Sequence, residues 1–234
     1  MVRPLIAIRL AVLAACLLMP GTLAAAETIL HLSETATVMA APDELAATLR
    51  AEATNRSAVE AQKAVNTAMQ AAVARAKQVA GVTVSTGGYG VWHVGPDAAA
   101  KIERWQASQT LNLTSHDGAA LLTLVGELQQ SGLVVGNLHW QLSRDAGRKA
   151  HQDATKQALT ALRGRIDEAA ELLGLRFGQF KSVRLDGSHP QPAFRAMAAP
   201  MAMAATPAPP PAAVAEDVPV SATAEADAVL LPRQ

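Results

Sequence analysis

The sequence predicts an α+β protein in which a mostly antiparallel sheet packs against alanine-rich helices. Several stretches alternate apolar and polar residues with a period of two, which is typical of half-buried strands. Three other stretches repeat apolar residues every three or four positions, which is typical of amphipathic helices. Glycine, proline and aspartate separate these stretches and mark the turns between them.

The first 26 residues have the order of a cleavable export signal. Arg3 and Arg9 give a positive start, and residues 10–19 are almost entirely apolar. Small residues follow at Ala24 and Ala26, where signal peptidase requires them, so we expect cleavage after Ala26. The apolar run is shorter than the roughly 20 residues that a membrane span needs.

Cys16 leaves a second form of processing open. Residues 13–16 fit the motif of bacterial lipoproteins, in which the cysteine is lipidated and becomes the N-terminus. The apolar run continues to Met19, however, whereas a lipoprotein usually turns polar directly after its cysteine. We therefore expect a free periplasmic protein, with a lipid anchor at Cys16 as the alternative.

Composition excludes several classes of partner and chemistry. The chain has 20 basic and 20 acidic residues, and loss of Arg3 and Arg9 leaves 18 basic residues and a charge near −2. No basic run stands out, which argues against nucleic acid as a partner. Cys16 is the single cysteine, so cleavage after Ala26 leaves no disulfide and no thiol nucleophile. Residues 27–234 contain no stretch suited to a membrane span.

The first half of the mature chain predicts two strands, a helix and two further strands. Residues 28–39 and 45–53 alternate on either side of a turn, which favours a hairpin. Ser57 and Glu60 have the spacing of a capping box, and the helix that they begin carries an apolar stripe to about residue 80. Strands follow at 82–94, where two glycines predict a bulge, and at 102–114.

The second half predicts two more helices and two or three strands. Asp117 caps a helix that ends near residue 131, and a strand follows at 134–142. A long helix is predicted over 147–173. The face of this helix that is predicted to point to the core carries Leu159, Leu162, Ile166, Ala169 and Leu173. A short strand follows at 180–185. The order strand, helix, strand occurs over 45–84 and again over 138–183. This leaves two interpretations open, namely two related β-α-β units or a coincidence of pattern.

The C-terminal part changes character twice. Residues 186–217 are rich in proline, alanine and methionine without periodicity, which predicts a flexible loop. Residues 218–231 alternate again, which predicts a terminal strand that returns to the sheet.

The order of these weak motifs resembles the SIMPL-domain family of exported bacterial proteins. The segments that carry the resemblance are Glu34–Asp43, the strand Trp105–Leu113, the end of the long helix, and the proline-methionine-alanine tract with the strand after it. Thr35 stands where the family usually has glycine, and the terminal strand is unusually alanine-rich. The resemblance implies an α+β domain over residues 27–234, an envelope location and self-assembly. Some members are linked to defence against oxidative stress, and no catalytic site or cofactor is implied.

The residues themselves present no catalytic constellation. No nucleophile elbow and no phosphate-binding loop occurs, and the six histidines lack the spacing of ligands on one helix face. Tyr89, Trp92, Trp105 and Trp140 are expected to fill core volume among many alanines, with a ligand groove as the alternative.

One chemical feature stays open, because thioethers are soft ligands that suit Cu(I) and also consume oxidants. The weak candidate ligands are His189, Met197, Met201 and Met203. The sequence therefore predicts a non-enzymatic envelope protein that assembles with itself or binds envelope proteins. The alternative is a copper-binding, small-ligand-binding or oxidant-buffering protein that uses the methionine-rich loop.

Overall fold

The computed structural model describes residues 27–95, 103–185 and 213–233. Within these ranges the chain forms three helices and seven strands in the order β1 (Thr28–Ala40), β2 (Glu44–Asn55), α1 (Ala58–Ala76), β3 (Val82–His93), β4 (Trp105–Ser115), α2 (Gly118–Gln130), β5 (Val134–Gln141), α3 (Arg144–Leu172), β6 (Leu175–Leu185) and β7 (Val218–Pro232). The predicted α+β class is confirmed.

The strands form two sheets in which all neighbouring strands are antiparallel. One sheet has four strands in the order β3-β4-β2-β5, and the other has three in the order β1-β7-β6. Helices α1 and α2 pack on the four-stranded sheet, whereas α3 packs on the three-stranded sheet. Each sheet and the helices packed on it therefore enclose a separate hydrophobic core.

The core of the four-stranded sheet is built from large aliphatic side chains. Alternate residues of β2 and β4 face α1 and α2, and the fully buried ones include Leu45, Leu49, Leu111 and Leu113. The predicted stripe of α1 is confirmed at Val65, Met69, Ala72 and Ala76, which are all buried, whereas Val79 lies beyond the end of the helix and is partly buried.

The core of the three-stranded sheet is built largely from alanine. Ala224, Ala226 and Ala228 of β7 lie against α3, whose buried residues recur every four positions as Ala150, Ala154, Ala158, Leu162, Ile166 and Ala170. Small side chains on both surfaces bring the helix close to the sheet. The predicted stripe was wrong in part, since Leu159 is 36% exposed and Leu173 is 59% exposed.

The predicted hairpin between the first two strands was wrong. β1 pairs with β7 and β2 pairs with β4 and β5, so the turn at Pro42 carries the chain from one sheet to the other. Alternation fixes which side chains share a face, but it carries no information about which strand lies alongside.

Two other local predictions need correction, and one is confirmed. β5 and β6 belong to different sheets, so residues 138–183 form no second β-α-β unit and the similarity of pattern is coincidental. Ser57 is the N-cap of α1, but its side chain makes no capping hydrogen bond. The pairing of β3 with β4 shifts register between Gly87 and Tyr89, which confirms the predicted bulge.

The first and last described strands pair in the three-stranded sheet. β7 returns as predicted and becomes the central strand, paired with β1 on one side and β6 on the other. Thr35, which replaces the glycine usual in the family, pairs with Thr223, and their hydroxyl oxygens lie 2.8 Å apart. In the part of the chain that is described, no helix has both the length and the apolarity to cross a membrane.

Candidate functional site

Asp43 occupies the junction where the chain passes between the two sheets. Its carboxylate accepts hydrogen bonds from the backbone N–H and the hydroxyl of Ser143, each at 2.7 Å. Ser143 is the N-cap of α3, and its hydroxyl oxygen also accepts a hydrogen bond from the backbone N–H of Ala146. The imidazole Nδ1 of His116 donates to the backbone carbonyl of Asp43 at 2.6 Å. Asp43 thus ties the β1–β2 connection to the start of α3 and to the end of β4.

The electrostatics of the junction favour the ionised form of Asp43. Burial would raise the pKa of this carboxyl, but the two hydrogen bonds from Ser143 and the field of His116 outweigh that effect, so the pKa is lowered. A carboxylate at the start of α3 also opposes the positive end of the helix dipole. This arrangement is structural, because the carboxylate stays charged at neutral pH and its role is to accept hydrogen bonds that hold the two segments together.

Three of the described histidines, His31, His93 and His116, each lie beside one carboxylate. His31 forms an ion pair with Asp227, which also accepts a hydrogen bond from the hydroxyl of Ser182. His93 pairs with Glu103 beside the ring of Trp105, whose centroid is 5.1 Å from that of the imidazole. Within the described ranges, no group of three histidine, cysteine, aspartate or glutamate side chains is placed to hold a metal ion.

The Ser182–Asp227–His31 cluster differs from a nucleophilic triad in the order of its groups. The hydrogen bond from Ser182 lowers the pKa of Asp227 against the effect of burial, and His31 and Arg184 lower it further. A nucleophilic serine needs the imidazole next to its hydroxyl, with the carboxylate behind the imidazole. Here the carboxylate lies in the middle, so the imidazole cannot take the proton from the hydroxyl of Ser182.

A shallow groove of about 470 Å³ runs between α1 and the four-stranded sheet. Met69, Val73 and Ala74 provide an apolar floor, and Lys77 is the charged residue of the lining. The remaining lining residues are Asn66, Gln70, Thr86 and Gln109. The groove can receive an apolar group, but its lining contains no pair of groups suited to acid and base catalysis.

The prediction that Tyr89, Trp92, Trp105 and Trp140 fill the core is wrong for two of them. Trp140 and Trp105 are partly buried, and the indole N–H of Trp140 donates to the backbone carbonyl of Ala213 at 3.2 Å. Tyr89 is 47% exposed and Trp92 is 43% exposed, so their rings lie at the surface. Both are on β3, an edge strand with a partner on one side, where the sheet cannot cover them.

The four edge strands of the two sheets differ in how they are protected against pairing with another chain. β3, β5 and β6 each contain or face a register shift in their pairing, and β6 also carries Lys181 and Arg184. β1 pairs with β7 without a register shift over all 13 of its residues and contains no lysine, arginine or proline. Bulges and charges are the usual means by which edges are blunted, so β1 is the unprotected edge.

Several of the predicted site residues lie outside the described residues. These are Cys16, Ala24 and Ala26 of the export signal, and His189, Met197, Met201 and Met203 of the methionine-rich tract. Conversely, sequence reasoning missed the role of Asp43, which had been interpreted as part of a turn. The local signal was a proline-aspartate pair before a strand, and Ser143 follows 100 positions later.

Comparison with solved structures finds little. The chain is similar over 55% of its length to a structure described as "The crystal structure of AtUAH in complex with glyoxylate", with 15% identity and a TM-score of 0.28. It spans 33% of that chain. Similarity at this level supports no inference about fold or activity.

Comparison with sequences identifies the family. No curated protein matches the chain. A profile of the SIMPL family, described as "Protein of unknown function (DUF541)", matches residues 30–228. The match runs from β1 to β7 and includes both sheets and all three described helices. The chain belongs to the SIMPL family.

Proposed function

We propose that this SIMPL protein is exported to the cell envelope and acts there without catalysing a reaction, by assembling with copies of itself through strand β1. A role in defence against oxidative stress is part of the proposal and rests on the resemblance to the family. The observation that carries the assembly is the unprotected edge of the three-stranded sheet.

The β1 edge is long, regular and weakly charged. Thirteen consecutive residues keep continuous register with β7, so the backbone is straight enough to offer a second ladder on its other side. Glu34 is its one acidic residue, and an ion pair with Arg165 of α3 neutralises that charge. An edge of this kind presents unpaired N–H and C=O groups to another strand.

Two copies of β1 can pair about a two-fold axis. Antiparallel pairing of a strand with itself is isologous, since each chain contributes the same residues to the interface. The product would be a six-stranded sheet in the order β6-β7-β1-β1-β7-β6, with one α3 from each copy. Such a dimer removes both β1 edges, and its formation depends on backbone hydrogen bonds more than on particular side chains.

A lysine on β1 tests the proposal. Ser33 is exposed on the face opposite α3 and lies across from Glu225 of β7. Ser33→Lys therefore gains a favourable cross-strand partner in the monomer but places two like charges near the axis of the dimer. We expect light scattering after size-exclusion chromatography to find a dimer or a larger oligomer for the wild type and a shift towards monomer for Ser33→Lys.

Ser85→Lys is the matched control. Ser85 is exposed on β3, an edge whose pairing is already interrupted by a bulge, so the same substitution should leave the oligomeric state unchanged. A monomeric wild type would refute assembly through β1. So would a Ser33→Lys protein that keeps the wild-type oligomeric mass.

A further inference from the structure

The four-stranded sheet has a second face, which points away from both of its helices. α1 and α2 pack against the face that carries the leucine core, and α3 packs against the other sheet. Residues that alternate with that core form what we call the open face. Its central members are Thr48, Trp92, Gln106, Ser108, Thr110 and Asn112.

Trp92 packs against its own strand on the open face. A Cβ atom added at Gly90 would lie 3.3 Å from Cζ3 and 3.6 Å from Cε3 of the Trp92 indole. The ring therefore rests over the backbone of its own strand, and 43% of the residue is exposed. The six-membered ring of the indole thus lies close to Gly90, and the rest of the side chain is partly exposed to solvent.

Polar groups continue the surface away from the indole. The hydroxyl of Thr48 donates to Oδ1 of Asn112 at 3.2 Å, and Nδ2 of Asn112 lies 3.3 Å from the position that a Cβ of Gly87 would take. Within the described residues, the side chains of Gln106 and Thr110 are partly exposed and have no hydrogen-bond partner, whereas Ser108 is buried. Donors and acceptors of Gln106 and Thr110 thus remain available on the same face as an aromatic ring.

The central rows of this face carry one cation and one anion. Arg50 and Glu52 follow one another on the open face of β2 and form an ion pair. A surface that binds nucleic acid or another acidic polymer needs basic side chains that can pair with the negative groups of the ligand. The balanced pair favours an uncharged ligand, and the scarcity of aliphatic side chains disfavours the apolar core of a protein interface.

We propose that the open face binds an uncharged chain of N-acetylated pyranose sugars. The C–H groups of a pyranose ring carry partial positive charge and suit the negative face of an indole, while the hydroxyl groups at the ring edge suit hydroxyl and amide side chains. The carboxamide of Gln106 offers a donor and an acceptor, and Nδ2 of Asn112 offers a further donor, which match the groups of an acetamido substituent. The surface is independent of β1 and of any assembly through it.

Chitohexaose, a soluble and uncharged chain of six N-acetylglucosamine units, is the probe. We expect isothermal titration calorimetry to detect binding to the wild-type protein and a Kd about tenfold higher for Trp92→Ala, as for the loss of an aromatic anchor. Gly90→Val is a second variant that keeps the indole but lifts it from the strand, because the new side chain occupies the space under the ring. It should weaken binding in the same direction.

Tyr89→Ala is the control. Tyr89 is on the same strand and is exposed to a similar extent, but it pairs with Gln109 and so lies on the opposite face. Its loss should leave the Kd unchanged, and circular dichroism should find all three variants folded. The proposal is overturned if the wild type does not bind chitohexaose, or if Trp92→Ala and Tyr89→Ala bind it equally well.

Discussion

Gly118 is a position where one added methyl group should destabilise the fold. It is the first residue of α2, and a Cβ atom there would lie 2.7 Å from both Cη2 and Cζ2 of the Trp140 indole. Carbon atoms in contact are normally about 3.5–4.0 Å apart. In Gly118→Ala the indole must therefore retreat by about 1 Å, which strains the hydrogen bond from its N–H to the carbonyl of Ala213.

The expected cost follows from these contacts. Overpacking a well-filled site costs about 1–3 kcal/mol, and loss of one hydrogen bond costs about 1 kcal/mol. Replacing glycine by alanine in a helix returns at most about 1 kcal/mol. The net loss for Gly118→Ala is about 2 kcal/mol in the free energy of unfolding, which is a large share of the usual 5–15 kcal/mol. Urea unfolding followed by far-UV circular dichroism measures it.

Gly164 provides the matched control for the same chemical change. It is exposed within α3, and a Cβ atom added there meets no other atom within 4 Å. Gly164→Ala should therefore stabilise the protein by about 0.5–1 kcal/mol, since alanine loses less backbone entropy on forming helix. The two variants should change stability in opposite directions. A Gly118→Ala protein as stable as the wild type would refute the packing of Trp140 against α2.

Two further predictions concern the junction and the N-terminus. Asp43→Asn should lower the free energy of unfolding by about 1 kcal/mol at pH 7. This is the contribution of a charge-assisted hydrogen bond, reduced because Asp43 is partly exposed to solvent. Because folding lowers the pKa of Asp43, its contribution is complete above the unfolded pKa of about 4 and is lost as the pH falls through the folded pKa, so the two proteins should converge in acid. Urea unfolding of both proteins at pH 7 and in acid tests this. A difference in unfolding free energy that becomes larger on acidification would contradict it. Mass spectrometry of protein exported from a bacterial host should find an N-terminus at Glu27, whereas a diacylated Cys16 would show a lipoprotein instead.

The sequence predicted the faces of strands and helices better than their partners. The alternation of residues 28–39 places Leu30 and Leu32 on one face, and in the structure both are partly buried and pack against the core next to α3. The same alternation suggested pairing of neighbouring strands, whereas β1 pairs with a strand almost 190 residues later. Pairing of this kind depends on how the whole chain closes, and no local pattern encodes it.

The helix that was misjudged shows a second limit. Hydropathy favours Leu159 over Ala158 as a core residue of α3, but Ala158 is fully buried and Leu159 is partly exposed. The reason lies in the opposite surface, where Ala224 and Ala226 of β7 provide a flat floor that brings the helix close. The buried stripe, which also contains Leu162 and Ile166, becomes evident when β7 is placed beside the helix.

The two proposed surfaces lie on different sheets, and this separation makes them independently testable. The assembly edge is β1 of the three-stranded sheet, whereas Trp92 is on β3 of the four-stranded sheet. Substitutions without shared contacts usually have additive effects. Ser33→Lys should therefore shift the protein towards monomer without changing the intrinsic Kd for chitohexaose, and Trp92→Ala should weaken binding without changing the oligomeric mass. If assembly does occur, each oligomer carries several copies of the open face, and binding to a long sugar chain should then be tighter than binding by the Ser33→Lys monomer through multivalency alone.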